Sequence, residues 1–492
     1  MLSTVMPDLF KDTASIDELK KKPKSRKSQL GQFFTPVSVA NFMASEFPDP
    51  PGAVRLLDAG AGEGALTEAF VRRWAATVPI ASHLYELDDN VLQALHARVA
   101  EFRCEGVTAT VHAADFLEDA VLTLHGAKRD EFTHVIMNPP YRKIATHSRA
   151  RALISKGGLE TVNLYSGFVG LALKLLGPGG QLVAIIPRSF CNGPYYKPFR
   201  RLITAEAAIR SIHLFGSRTD AFAHDEVLQE NIIIRLERGG EQGQVTVSTS
   251  TDTSFGDLDR TIWDFDEIIA PNDPELFIHI PTDDQSTMGA QRAAGGTLGQ
   301  LGLKVSTGPV VDFRLREHLR AMPNAETVPL LYPLHLKDGA VTWPIDGAKK
   351  PNAIVRNRAT ERWLFPSGWY AAVRRFSSKE EKRRVVASLI NPETLPTDAI
   401  GLENHINVFH SGRQSLGQDL ARGLVIYLNG SALDAEFRRF NGHTQVNATD
   451  LRQLSYPTEQ QLCEMGRRGA VQWPIEQGQV DELIRGVLDV AS

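Results

Sequence analysis

Cysteine is scarce in this chain: Cys104, Cys191 and Cys463 form no C-x-x-C pair and share no regular spacing. That excludes a disulfide framework and a cysteine-built zinc site, and it points to a reducing compartment. Long apolar runs are also missing. No uninterrupted stretch approaches the ~18–20 residues that span a bilayer. The opening MLSTVMPDLFKD lacks the basic segment and apolar core of a secretory signal. The expectation is a cytoplasmic protein without a membrane role. No excess of charge appears either, since 54 Lys+Arg against 58 Asp+Glu leave −4, so the distribution of charge matters more than its sum. With 42% hydrophobic and 23% charged residues the chain is globular. At ~100–200 residues per domain its length predicts two or three domains.

Residues 18–28, ELKKKPKSRKS, form a basic tail, either solvated or touching phosphate. From Leu30, LGQFFTPVSVANFMASEF predicts a loop entering an amphipathic helix, with Thr35 as N-cap and Pro36 first in the helix. Strands are predicted in VRLLDA, SHLYELD, TATVHAADF, EFTHVIM, QLVAIIPRSF, IRSIHLF and LQENIIIRLE, the earlier ones separated by helical segments. This alternation implies an open, mostly parallel sheet covered on both faces, with ligands bound beyond the carboxyl ends of its strands. From Gly239 to Gly302 the alternation fails, apart from a possible polar strand at VTVSTSTDTS. The reading divides the chain into a tail (1–28), an α/β domain (29–285), a linker (286–300) and a mixed α+β domain (301–492).

The first predicted strand runs straight into Gly60, Gly62 and Gly64, and Glu86 ends the next, in the layout of a nucleotide-type fingerprint. A dehydrogenase and a methyltransferase both fit that layout. Asp58 and Glu63, however, put carboxylates where a pyrophosphate needs donors; they suit a cofactor with an ammonium and a sulfonium, as in S-adenosylmethionine. Asp115 ends the third strand, as a helix cap or as an acceptor for the adenine of that cofactor. HVIMNPPYRKI, residues 134–144, is by itself a turn. Between Lys349 and Arg384, eleven Lys/Arg face three Glu, interleaved with Trp363, Phe365, Trp369, Tyr370 and Phe376. Such a run is a solvated face or, with stacking rings beside guanidinium groups, a nucleic-acid surface.

QFFTP at 32–36, DAGAGEGAL at 58–66, YELD at 85–88, AADF at 113–116 and NPPY at 138–141, in this order, resemble the adenine-N6 DNA methyltransferases of bacterial restriction-modification systems. The likeness is to the group whose target-recognition domain follows the catalytic domain. ENHINVFHSG at 403–412 and NGHTQVNATDLRQLSYP at 441–457 are similar to the PstI/BsuBI type. The resemblance implies a Rossmann-like methyltransferase domain, S-adenosylmethionine as cofactor and no metal. It further implies double-stranded DNA as partner, a separately encoded restriction endonuclease, and a monomer. It assigns Phe34, Thr35, Pro36, Asp58, Gly60, Gly62, Glu86, Asp115 and Phe116 to the cofactor, and Asn138, Pro139, Pro140 and Tyr141 to catalysis. Tyr141 and Phe222 would sandwich the target base, with Phe190 as the alternative to Phe222. Arg356, Arg358, Arg374 and Arg375 become candidates for phosphate or guanine contacts.

The chemistry explains NPPY independently. The N6 lone pair of adenine is delocalised into the ring, so acceptors aimed at its hydrogens favour the charge that develops during methyl transfer. Prolines supply no competing N–H. A glutamine-N5 protein methyltransferase shares that need but explains neither QFFTP nor the basic region downstream. A cytosine-N4 enzyme more often has Ser where Asn138 stands. A non-catalytic DNA-binding subunit is at odds with the intact Asn138, Glu86 and Asp115. About 30 residues precede the first motif, and no acid-plus-lysine cluster follows, so modification without cleavage is expected.

Overall fold

In the computed structural model the described residues are 35–126, 131–215, 231–281, 296–377, 381–395, 397–442, 444–470 and 476–488. Phe34, Phe222, the basic tail and most of the linker therefore lie outside the described residues.

Among the described residues the first half builds one nine-stranded sheet. Its strands are β1 (Val54–Ala59), β2 (Ile80–Tyr85), β3 (Val107–His112), β4 (Phe132–Met137), β5 (Leu176–Pro187), β6 (Ala207–Phe215), β7 (Asn231–Arg238), β8 (Val245–Ser250) and β9 (Asp259–Trp263). They lie in the order β3-β2-β1-β4-β5-β7-β6-β8-β9. β1 to β5 are mutually parallel, and β7 runs antiparallel between β5 and β6. The sheet thus matches the expected mostly parallel α/β class, and it extends further than the alternation of motifs suggested. β8 and β9 continue it without intervening helices. Val245 and Val247 are buried on one side of β8, while Thr246, Ser248 and Ser250 lie on the other, which is why its sequence reads as polar.

The period of two along β5 sorts its residues between two cores. Val183 and Ile185 pack with Met43 and Phe70 on one face, while Leu182, Ala184 and Ile186 pack with Val169 and Leu171 on the other. The first face is covered by α1 (Val37–Ser45), α2 (Ala65–Trp74) and α3 (Asp89–Phe102). The second is covered by α4 (Phe116–His125), α5 (Arg149–Lys156), α6 (Leu164–Leu175) and α7 (Lys197–Glu206). Phe70 is fully buried where α2 meets the sheet, so Phe70→Ala would destabilise the fold by about 3–5 kcal/mol.

The second half is mixed α+β. Lys304–Thr307, Ile406–His410, Tyr370–Arg374 and Ala387–Ile390 form a four-stranded sheet in that order. Helices Gln418–Leu428 and Ser431–Phe440 share its core. Gln418–Leu428 crosses Glu459–Gly469 so closely that a Cβ on Gly423 would collide with the backbone of Leu462. A five-stranded sheet centred on Thr327–Leu331 lies beside the first.

The two halves touch through specific groups. Phe277 is buried with Phe437 and Phe440, its ring 5.4 Å from that of Phe440. The Ile280 N–H donates to the Arg439 carbonyl at 3.0 Å. Arg188, just past β5, donates to the carbonyls of Arg438 (2.7 Å) and Arg439 at the end of helix Ser431–Phe440. Among the described residues no helix is long and apolar enough to cross a membrane.

Candidate active site

Parallel strands deliver their carboxyl ends to one edge, and the strand order turns back between β1 and β4, where such sheets open a crevice. β1 leads into the glycine turn. The N–H groups of Gly60 and Ala61 both donate to the Tyr85 carbonyl at 2.9 Å, binding the turn to the end of β2. Gly60 has φ +82°, and a Cβ there would lie 3.8 Å from Pro140 Cδ, so the turn rests against the NPPY loop. Two features separated by about 80 residues of sequence become neighbours.

Glu86 is tied down by backbone donors. Its Oε2 accepts from the Gly62 N–H at 2.9 Å, and its Oε1 accepts from Leu87 and Asp88, each at 2.8 Å. Asp58 lies fully buried under the turn, where its Oδ2 accepts from the Thr67 hydroxyl at 2.7 Å. Its Oδ1 is buried with no partner among the described residues. Burial, and secondarily the charge of Glu86, raise the Asp58 pKa to about 7. An orphaned buried acceptor beside a second carboxylate fits the ammonium and sulfonium of S-adenosylmethionine and would repel a pyrophosphate. Glu63 contributes less than the sequence suggested, because it stands 3.8 Å from the Arg98 guanidinium.

Asp115 caps α4, its Oδ1 accepting from the Leu117 N–H at 3.0 Å. The Phe116 ring is 3% exposed, wedged between Tyr85 and Phe168. Its ring packs in the core of the second sheet face. Leu87 was passed over in the sequence, yet it is 67% exposed directly after Glu86. An apolar residue following the acid at a strand end is the signal that marks it.

Thr35 also differs from expectation. α1 starts at Val37 and its N-cap is Pro36, with extended ψ 147° and no side-chain cap. The Thr35 hydroxyl instead lies 3.1 Å from Asn138 Nδ2, which donates to it. The Tyr141 hydroxyl lies 2.7 Å from Asn138 Oδ1 and 2.9 Å from the Ile185 carbonyl, one proton serving both acceptors. Burial pushes the Tyr141 pKa up, so the phenol stays neutral. Asn138 is therefore held from two sides, by the loop before α1 and by its own NPPY turn. Phe190, the alternative partner for a base, is wholly buried against Phe199.

The basic segment is largely spoken for. Arg356 forks onto Glu361 (2.9 and 3.0 Å) and Asp398 (2.7 and 2.6 Å). Arg374 pairs with Glu381, and the half-buried Arg375 donates to the Asn404 carbonyl at 3.2 Å. Of the four arginines singled out, Arg358 alone is exposed without an acidic partner among the described residues. Phe365 and Tyr370 are buried in the core between the two sheets, not presented as stacking faces. Trp363 and Trp369 are half-buried under Arg362 and Arg422.

Residues 84–222 match the Eco57I restriction-modification methylase family. The chain is 45% identical over 461 residues to the type II methyltransferase M.BsuBI of Bacillus subtilis, covering 92% of this chain and 91% of that protein. It is 44% identical over 480 residues to the type II methyltransferase M.PstI of Providencia stuartii, covering 94% of each. Among solved structures, the type IIG restriction endonuclease BpuSI aligns with 93% of this chain and 65% of its own at 13% identity and a TM-score of 0.45. Identity at the level of the two methyltransferases, sustained over nearly the whole of both chains, makes this protein a member of the type II restriction-modification methyltransferase family.

Proposed function

We propose that the chain transfers the methyl group of S-adenosylmethionine to N6 of an adenine turned out of double-stranded DNA. The modified site is thereby protected from a separately encoded restriction endonuclease. In this reading residues 29–285 are the catalytic domain and 301–492 the target-recognition domain. One chain holds both the cofactor cradle and the recognition half, so a monomer in the cytoplasm suffices.

The observation that carries the reading is the Thr35–Asn138–Tyr141 cluster standing beside the Asp58–Glu86 cradle. When bound, the cofactor supplies a methyl group on a sulfonium. Asp58 would meet its positive charge, Glu86 its ribose hydroxyls and the exposed Leu87 a face of its adenine. An amide oxygen has two lone pairs, so Asn138 can keep the Tyr141 hydroxyl on one and accept a hydrogen from the target amine on the other. That acceptor, fixed before the base arrives, strengthens as positive charge grows on N6. Extruding the adenine costs a few kcal/mol, and stacking on the Tyr141 ring offsets roughly 1–3 kcal/mol of it. The proton leaves N6 after transfer.

Incubating the purified chain with duplex DNA and methyl-labelled cofactor, then digesting the DNA to nucleosides, tests this. The label is expected in N6-methyldeoxyadenosine. Label in a methylcytosine, or in protein glutamine, contradicts the reading.

A further inference from the structure

The two motifs of the second half that the chemistry above leaves unused come together at the seam between the halves. In 403–412, Glu403 is fully buried, yet it accepts from the backbone N–H of its neighbour His405 at 2.9 Å and stands 2.6 Å from its Nδ1. The imidazole is 42% exposed, and its ring centroid lies 5.2 Å from that of Phe376, itself 42% exposed. A buried carboxylate thus holds an exposed ring, and that ring braces a second exposed ring.

The backbone under Phe376 is pinned on both sides. The Arg375 N–H donates to the His405 carbonyl at 2.9 Å, the Val446 N–H to the Arg375 carbonyl at 2.7 Å, and the Ser377 N–H to the Thr444 carbonyl at 3.3 Å. The second motif, 441–457, therefore forms the other wall of the same patch, with Phe376 opposite Gln445 in a β-bridge. That motif also carries the contact with the catalytic half. The Gly442 N–H donates to Asn192 Oδ1 at 3.3 Å, and a Cβ on Gly442 would stand 2.8 Å from the Arg188 carbonyl oxygen. Tyr195, in the same loop as Asn192, is 55% exposed.

Position relative to DNA follows from the sheet. The NPPY loop follows β4, and the Arg188–Tyr196 loop follows β5, its neighbour, at the usual strand spacing of about 4.8 Å. A duplex that delivers a base to Asn138 is far wider than that spacing. It is wide enough to cover the loop after β5 and what docks on it. Exposed aromatic rings fixed at such a place are suited to enter a base stack, as apolar side chains do where proteins unstack a duplex.

Resting on the adenine-N6 reading, we propose that Phe376, braced by His405 and Glu403, is the recognition half's stacking contact beside the extruded base, and that it fills the gap the base leaves. Its removal matters when the base must be drawn from an intact stack and not when it is already loose.

The test uses the full chain, wild type and Phe376→Ala, on a duplex bearing the site found by mapping wild-type methylation. One duplex pairs the target adenine with thymine, and the other sets it opposite an abasic position. Phe376→Ala is expected to slow single-turnover methylation of the paired duplex by about tenfold or more and to run within about twofold of wild type on the abasic one. Equal rates on the paired duplex overturn the proposal, as does an equal loss on both duplexes, the mark of a merely structural residue. A wild-type protein that methylates no adenine overturns the adenine reading itself, a result distinct from either.

Discussion

The two halves place their charged residues differently. In the first half, groups scattered from Thr35 to Asn138 converge because parallel strands end at one edge. There the protein leaves a buried acceptor, Asp58 Oδ1, without a partner. In the second half, a basic run with an excess of eight Lys/Arg between 349 and 384 disperses, its arginines turned toward Glu361, Asp398, Glu381 and backbone carbonyls. An unpartnered acceptor at the strand-end crevice fits a ligand, whereas a count of charges on a segment points to none, because folding pairs most of them.

The sharpest way to break this contrast is Asn138→Ala. Methylation should fall by about 10²–10³, while a calorimetric titration with S-adenosylmethionine stays near wild type. A parallel loss of cofactor affinity would show that the two clusters are one. Tyr141→Ala should come next, with DNA-dependent kcat/KM down by about tenfold or more. Tyr141→Phe keeps the ring, loses only the hydroxyl, and should fall less.

Asp58 yields a pH dependence. Its pKa is raised from 3.8 to about 7. The stability it contributes to the unliganded protein is therefore full below its unfolded value and lost as pH rises through about 7. Cofactor binding has the opposite sign, because the cation needs the carboxylate. Affinity should fall as pH drops through about 7, and Asp58→Asn should flatten that fall and weaken binding on the alkaline side. The smallest effects belong to the arginines of the second half. Arg356→Ala should leave DNA affinity unchanged, whereas Arg358→Ala should lower the slope of log affinity against log salt by about 1. The reverse order would mean that the Arg356 ion pairs open on DNA.

Much of the first half was legible in sequence because its motifs lie at strand ends, where local spacing and topology agree. Thr35 was misplaced because cap residues are judged locally, whereas its partner, Asn138, lies 103 residues away. Aromatic fate was harder to read. Phe116, Phe190, Phe365 and Tyr370 are core, and nothing in their neighbours distinguishes them from Phe376, because burial depends on what packs against a ring. Arg356 went the same way, neutralised in part by an aspartate 42 residues distant. Leu87 was overlooked because a single apolar residue in a turn carries no period.

The most direct test is base-resolution mapping of N6-methyladenine in DNA from cells expressing the chain, beside Asn138→Ala. The account predicts one recurring sequence context methylated with the wild type and empty with the variant. The same pattern in both, or none in either, would contradict it.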